Sequence, residues 1–341
     1  MVAPSKKTIL IWLTLVAISV IFQISLGGYV RLTQSGLSMY DWHVVNGIVP
    51  PLTEETWQET FENYKETPEY KKINVGMSLD EYKLIYIREY NHRILGRITG
   101  LIFVVPLFTF LFLKKFKWKE SKIYLLTGLL YAGQGILGWY MVKSGLVDDP
   151  HVSHLRLAAH LLLAFLILAL MFWKILDTVY NDALISKEIY FNNSFRITAI
   201  FLILLTVQIA YGAFVAGLKA GHVSNTFPLM FGYLVPPNLF VDDFSFFMNL
   251  IENAVAVHFV HRWLAFIVFG FSIYTWLKVR PNLPYAILLP AIIVVQVLLG
   301  LHVIWFNVPV TLALIHQLGA VLVIGISIFL LHRITADSYS F

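Results

Sequence analysis

The sequence predicts an all-α integral membrane protein whose eight transmembrane helices form two pseudo-symmetric four-helix bundles. Three observations lead there. First, the 341 residues are 58% hydrophobic and 13% charged, with a mean hydropathy of +0.72, whereas soluble domains are charged at about a quarter of positions. Second, eight apolar runs reach the roughly 20 residues that a helix needs to cross a bilayer. Third, the first four runs resemble the last four in motif and spacing. Cysteine is absent, which excludes disulfides, thiolate-bound metal and a cysteine nucleophile and leaves eleven histidines as candidate metal ligands. A net charge of +5 would suggest nucleic acid in a soluble chain. Here the basic residues lie in short loops beside apolar runs, so they report topology in a lipid bilayer and no nucleic-acid partner.

The runs lie near 8–30, 92–113, 123–142, 155–176, 196–218, 251–277, 282–305 and 310–331. The first follows Lys6 and Lys7. Its apolar stretch is too long for a signal-peptide core and no small-residue cleavage site closes it, so it is read as a helix. Lys114, Lys115, Lys117, Lys119 and Lys122 follow the second run, Lys174, Lys187 and Arg196 flank the loop after the fourth, Lys278 and Arg280 follow the sixth, and Arg333 follows the eighth. All fall on one side. The positive-inside rule then places both termini in the cytoplasm, as expected for a multi-pass protein of the bacterial inner membrane. Residues 1–176 are expected to form an N-terminal half, 177–195 a cytoplasmic linker and 196–341 a C-terminal half.

Residues 31–88 form a long outer segment broken by Pro50, Pro51 and Pro68. Its stretch "TEETWQETFENYKE" reads as short helices over the membrane face, and a loop of this length is usually functional. Ser78 and Glu81 fit a capping box, so the second helix starts outside the membrane and runs unbroken through Glu89 and His92.

The halves repeat. "QISLGGYVRLTQSG" at 23–36 aligns without a gap to "QIAYGAFVAGLKAG" at 208–221, both lead to a Pro-Pro pair, and "NHRILGRITG" has a weaker counterpart in "VHRWLAFIVFG". Each odd-numbered run also carries Q-x-x-x-G, as Gln23…Gly27, Gln134…Gly138, Gln208…Gly212 and Gln296…Gly300. One helical turn puts both residues on one face, where Gly permits close approach and Gln offers a hydrogen bond within the membrane. The pattern alone does not say what approaches.

Each even-numbered run has a histidine near its outer end: His92, His160, His261 and His316. At 1.5 Å per residue these lie within one or two turns of the same depth. Matched depth suits a heme iron bound by imidazoles from opposite faces of one porphyrin, and bundle interiors are where such sites are built. One pair per half gives two hemes, with His92, His160, His261 and His316 as axial ligands. His43, His151, His154 and His222 fall in outer loops, His332 at the inner end, and His302 aligns with Tyr140. Non-heme iron would need closely spaced histidines or several facing carboxylates, and only "HFVH", His258 and His261, comes near.

Three residues before the repeated histidine, the first half has Glu89 and the second has His258. A carboxylate beside a heme edge can exchange a proton, which makes the first half the expected reaction site and the second an electron-transfer site. The alternative is that Glu89 only pairs with Arg93 at i+4 or with Arg88. Arg93 and Arg262 follow ligand histidines and suit heme propionates, or else snorkel to lipid phosphate.

Together, "GGYVRLTQSGLSMYDW", "GIVPPLTEETWQETFENYKETPEYK" and "EYNHRILGRITG" resemble heme A synthase, the membrane enzyme family that converts heme O to heme A for cytochrome oxidase. The resemblance covers nearly the whole chain and is closest to the cysteine-free mitochondrial and proteobacterial-like branch. It implies that His92 and His160 border the substrate heme, His261 and His316 ligate a heme b, and Glu89 is the carboxylate needed for oxidation. The reaction implied takes the C8 methyl through a hydroxymethyl stage to a formyl group. By the same resemblance, heme O synthase, cytochrome oxidase assembly factors and a separate electron acceptor or donor are expected partners. The substrate's farnesyl tail calls for a sideways opening to lipid. Two other functions fit parts of the pattern: a transmembrane electron carrier of the cytochrome b561 type, and a heme transporter or assembly chaperone without chemistry.

Overall fold

Without water in the bilayer core every backbone N–H and C=O must be satisfied within the protein, and helices do this inside one segment. The computed structural model describes residues 5–40, 47–116, 118–146, 150–180 and 193–337. His43, Lys117, Lys187 and the linker residues 181–192 lie outside the described residues, as does the side chain of Lys119. Among the described residues there are eleven α-helices and no extended strand, only an isolated bridge between Met230 and Tyr233. They are α1 (Lys6–Leu32), α2 (Glu54–Lys65), α3 (Pro68–Lys72), α4 (Leu79–Phe112), α5 (Trp118–Gly145), α6 (His154–Tyr180), α7 (Asn193–Gly217), α8 (Phe246–Glu252), α9 (Ala254–Val279), α10 (Leu288–Trp305) and α11 (Val310–Asp337). Eight of these, all but α2, α3 and α8, are long and apolar enough to cross a membrane.

The expected capping box opens α4. The Ser78 hydroxyl accepts from Glu81 N at 3.3 Å, and the Glu81 carboxylate accepts from Ser78 N at 2.8 Å. The helix then runs unbroken past Glu89 and His92. Two runs read as single helices are interrupted. The run near 251–277 begins inside α8, which ends where Asn253 takes an extended backbone and caps α9 by accepting from Val255 N and Ala256 N. The run near 282–305 opens with a 3-10 turn at Pro284–Ile287 before α10 begins.

The chain divides into two compact units, Met1–Ala164 and Phe165–Phe341, with the division inside α6. In the first unit α4 packs on α1 and α5. The short helices expected in 31–88 are α2 and α3, and they pack on the N-terminal turns of α4. Tyr82 stacks on Tyr64 at 4.7 Å and on Phe61 at 5.1 Å, and Trp57 meets Tyr86 edge-on at 5.1 Å. At the other end of α4, Trp12 of α1 stacks on Phe103 at 5.5 Å and donates its Nε1 to the Ile102 carbonyl at 2.9 Å. In the second unit α7 packs on α9, α9 on α10, α10 on α11 and α11 on α7, closing a ring of four helices.

Candidate functional site

Each repeated histidine lies against the glycine of a Q-x-x-x-G pair. His92 on α4 meets Gly27 of α1, His160 on α6 meets Gly138 of α5, His261 on α9 meets Gly212 of α7, and His316 on α11 meets Gly300 of α10. A Cβ added at Gly27 would come within 3.0 Å of His92 Nε2; at the other three it would come within 3.2 Å of the imidazole Cε1. The rings thus occupy space that any other residue type would fill.

The glutamine fixes the same histidine from one turn away. Gln23 donates its Nε2 to the His92 carbonyl, Gln134 to that of His160 and Gln208 to that of His261, each at 3.0 Å, and Gln296 donates to that of His316 at 2.9 Å. A helical carbonyl is normally screened by side chains a turn further on, and Gly96 and Gly319 clear the approach. A Cβ at Gly96 would stand 3.3 Å from Gln23 Nε2, and one at Gly319 would overlap Gln296 Oε1. Sequence reading found the repeated glutamines and glycines but not what they hold; the answer lies across a helix interface that no local pattern encodes.

All four histidines are half-buried. His160 lies close enough to His92, and His261 to His316, for each pair to interact electrostatically. The Nδ1 atoms of His160 and His316 and the Oε1 atoms of all four glutamines are buried without a hydrogen-bond partner. Among the described residues no three His, Asp or Glu side chains converge as a metal cage. Donors that come in twos, seated in glycine bays, with polar atoms left unmet, fit a flat macrocycle ligated from two sides.

The asymmetry between units has a matching geometry. Glu89 is 3% exposed. Its Oε1 accepts from Arg93 Nε at 2.6 Å, while its Oε2 stands 3.9 Å from His92 Nδ1. Arg93 also donates its Nη2 to the Met39 carbonyl at 2.9 Å. In the second unit His258 takes the place of Glu89, and its Nε2 accepts from Arg262 Nε at 3.0 Å. Arg262 donates its remaining nitrogens to the carbonyls of Thr226 and Ser224, each at 2.6 Å. The Glu89–Arg93 pair considered as an alternative therefore forms, yet it occupies one carboxylate oxygen and leaves the other facing His92. Arg88 instead lies over the Tyr29 ring. Arg93 and Arg262 are both buried, tying the segments that carry Met39 and Ser224–Thr226 to α4 and α9 rather than extending to a surface.

Three other histidines are engaged elsewhere. The Nδ1 of His222 is 3.2 Å from Asn307 Oδ1, that of His302 is 2.7 Å from the Leu298 carbonyl, and His332 Nε2 is 3.0 Å from Asp177 Oδ1.

The chain is similar to known proteins over nearly its whole length. The COX15-CtaA family, described as cytochrome oxidase assembly protein, matches residues 10–328. A heme A synthase of Wolbachia pipientis subsp. Culex pipiens is 42% identical over 329 residues, covering 95% of this chain and 97% of the relative. One from Nitrosospira multiformis is 41% identical over 340 residues, covering 96% and 94%. One from Flavobacterium johnsoniae is 40% identical over 339 residues, covering 97% and 98%. With matches that span the duplicated histidine seats and both units, the chain belongs to the COX15-CtaA family of cytochrome oxidase assembly proteins.

Proposed function

We propose that this chain is a heme A synthase, an oxidoreductase that converts the C8 methyl of heme O to a formyl group. In this reading heme O is held between His92 and His160 in the first unit, and a heme b between His261 and His316 in the second. One observation supports the division of labour above the others: the histidine seats are built in both units, but a carboxylate aimed at a ligand histidine stands in one.

Heme b would supply one-electron redox capacity that no side chain here offers. The chain's own residues hold and orient. Arg93 fixes one oxygen of Glu89, so the other is directed at the space beside His92, where it can accept a proton as water adds to the oxidised methyl carbon and supplies the formyl oxygen, the electrons leaving to the separate acceptor. Its buried setting excludes bulk water as a competing base. Arg93 and Arg262 hold neighbouring loops to α4 and α9, and their guanidinium charge would suit the propionates of a heme bound there. The farnesyl tail cannot run down the first unit's core, because Trp12, Phe103 and Tyr124 fill it. An apolar groove between α1 and α4, lined by Ile11, Leu15, Leu101 and Val105, offers it a sideways path. Both sites lie toward the outer face of a bacterial inner membrane, with both termini cytoplasmic. Heme O synthase, oxidase assembly factors and an electron acceptor are the partners this role requires.

A bis-heme electron carrier or a heme chaperone has no use for a carboxylate in one unit alone. The test is to co-express the protein with a source of heme O, extract the hemes and look for the formyl product. Glu89→Gln keeps the side-chain volume and an acceptor for Arg93, so it is expected to retain bound heme and lose the product. Full conversion by this variant would remove Glu89 from the reaction.

A further inference from the structure

Two hydroxyl groups in the first unit are buried and unmet. Thr99 on α4 is 2% exposed, and neither its Oγ1 nor the buried Oη of Tyr131 on α5 makes a hydrogen bond. Among the described residues no other buried side-chain hydroxyl is in this state. A helical threonine usually satisfies itself on the carbonyl four residues earlier, as Thr109, Thr127, Thr198 and Thr275 do here. Thr99 does not.

Their positions are related. Thr99 follows His92 by seven residues on α4, and Tyr131 precedes Gly138, the seat of His160, by seven on α5. Seven residues are about two helical turns, so each hydroxyl lies on the same face as its seat and about 10 Å beyond it. Since α4 and α5 are joined by a short loop and run antiparallel, both displacements are in the same direction. Beyond them, Phe103 stacks on Tyr131 at 5.0 Å and on Trp12 at 5.5 Å, closing the core with an aromatic floor. The hydroxyls thus lie between the histidine pair and that floor.

The second unit differs at the same places. Seven residues after His261 stands Val268, and seven before Gly300 stands Ile293, both buried. Like Glu89, the polar shelf belongs to one unit.

We propose that Thr99 and Tyr131 form a subsite for the alcohol of the substrate, the hydroxyl on the first carbon of the hydroxyethylfarnesyl group of heme O, and that this subsite distinguishes heme O from heme b. The inference rests on the heme A synthase reading and adds the selectivity of its first site. A substrate hydroxyl can donate to one of these groups and accept from the other. Heme b carries a vinyl group at that position and leaves both unmet. A site built to bond a hydroxyl rejects an analogue without one far more strongly than an apolar pocket rejects an added hydroxyl. Val268 and Ile293 make no such demand, so the vinyl-bearing heme fits the second unit.

The test uses Thr99→Val and Tyr131→Phe, singly and together, in full-length protein produced in membranes that contain both hemes, with the bound hemes extracted and separated by chromatography. The expected result is that the double variant loses heme O and heme A relative to heme b by at least about tenfold, each single variant falling between, while the heme b held by His261 and His316 persists. An unchanged ratio would overturn the subsite and leave the heme A synthase reading intact. Wild-type protein that never carries heme O or heme A would instead refute that reading. Should the double variant lose heme b as well, the reciprocal pair Val268→Thr and Ile293→Tyr decides: a raised heme O share supports the subsite, and an unchanged share overturns it.

Discussion

At Gly212 and Gly300 the physical demand on a single atom is plain: a methyl group there meets an imidazole carbon at 3.2 Å, closer than carbon atoms pack without displacement. Overpacking of this kind costs about 1–3 kcal/mol, and the ring bears the displacement. Gly212→Ala and Gly300→Ala are therefore expected to weaken heme b binding and to shift the low-spin resonance that reports the imidazole planes. Gly270→Ala and Gly325→Ala, on the same ligand helices but with nothing within 4 Å of the added carbon, should leave both unchanged. A spectrum that is the same in all four variants would show that the glycines do not seat the rings. The histidines were legible in the sequence because they recur at one depth in each even-numbered run. Their glutamine anchors were visible as a pattern but not as an interaction, and Thr99 and Tyr131 were not visible at all, since a lone hydroxyl in an apolar run carries no periodic signal.

Among the elements, α4 joins the outer segment to the site. Its N-terminal turns carry Tyr82, Ile85 and Tyr86 into the cluster with Phe61 and Tyr64, and Ser38 donates its hydroxyl to the Ile85 carbonyl at 3.1 Å. Glu69 on α3 is buried beneath this cluster and accepts from the Tyr64 hydroxyl at 3.0 Å. Burial pushes its carboxyl up to about 7 and the charge of Glu89 adds to the rise, against the opposing effect of the Tyr64 bond. The folded segment thus holds this proton more tightly than the unfolded chain does. Its stability is fully present below the ordinary carboxylate range and is lost as pH rises toward 7. Resistance of the 47–78 region to protease is expected to fall between pH 5 and pH 8, and Glu69→Gln is expected to flatten that dependence. A wild-type profile without slope would contradict it. The capping box made the start of α4 readable from Ser78 and Glu81. The break at Asn253 was not, because the interruption comes from one side chain bonding the distant carbonyls of Asn238 and Leu239 as well as capping α9, and no local pattern encodes those distant contacts.

In the molecule as a whole, the basic residues set a topology that can be tested site by site. A reporter domain inserted after Arg280 is expected to be active only in the cytoplasm, and one inserted at Gly232 only on the opposite side. The reverse result would invert the orientation proposed for both sites. Eight spans could be read from hydropathy because lipid imposes length and apolarity on each. The packing order within each unit is set by side-chain fit, which composition does not record.

The four seats are alike in one further respect: each is made by two helices that follow one another in the chain, apart from the short α8 and the outer α2 and α3. A single such hairpin presents one imidazole and cannot clasp a porphyrin by itself; two of them, face to face, can. The smallest piece that completes one such clasp is therefore a pair of hairpins, four spans long. The long connections fall between the helices of the first and third hairpins, while those of the second and fourth are joined by few residues, so the added chain sits on alternate hairpins.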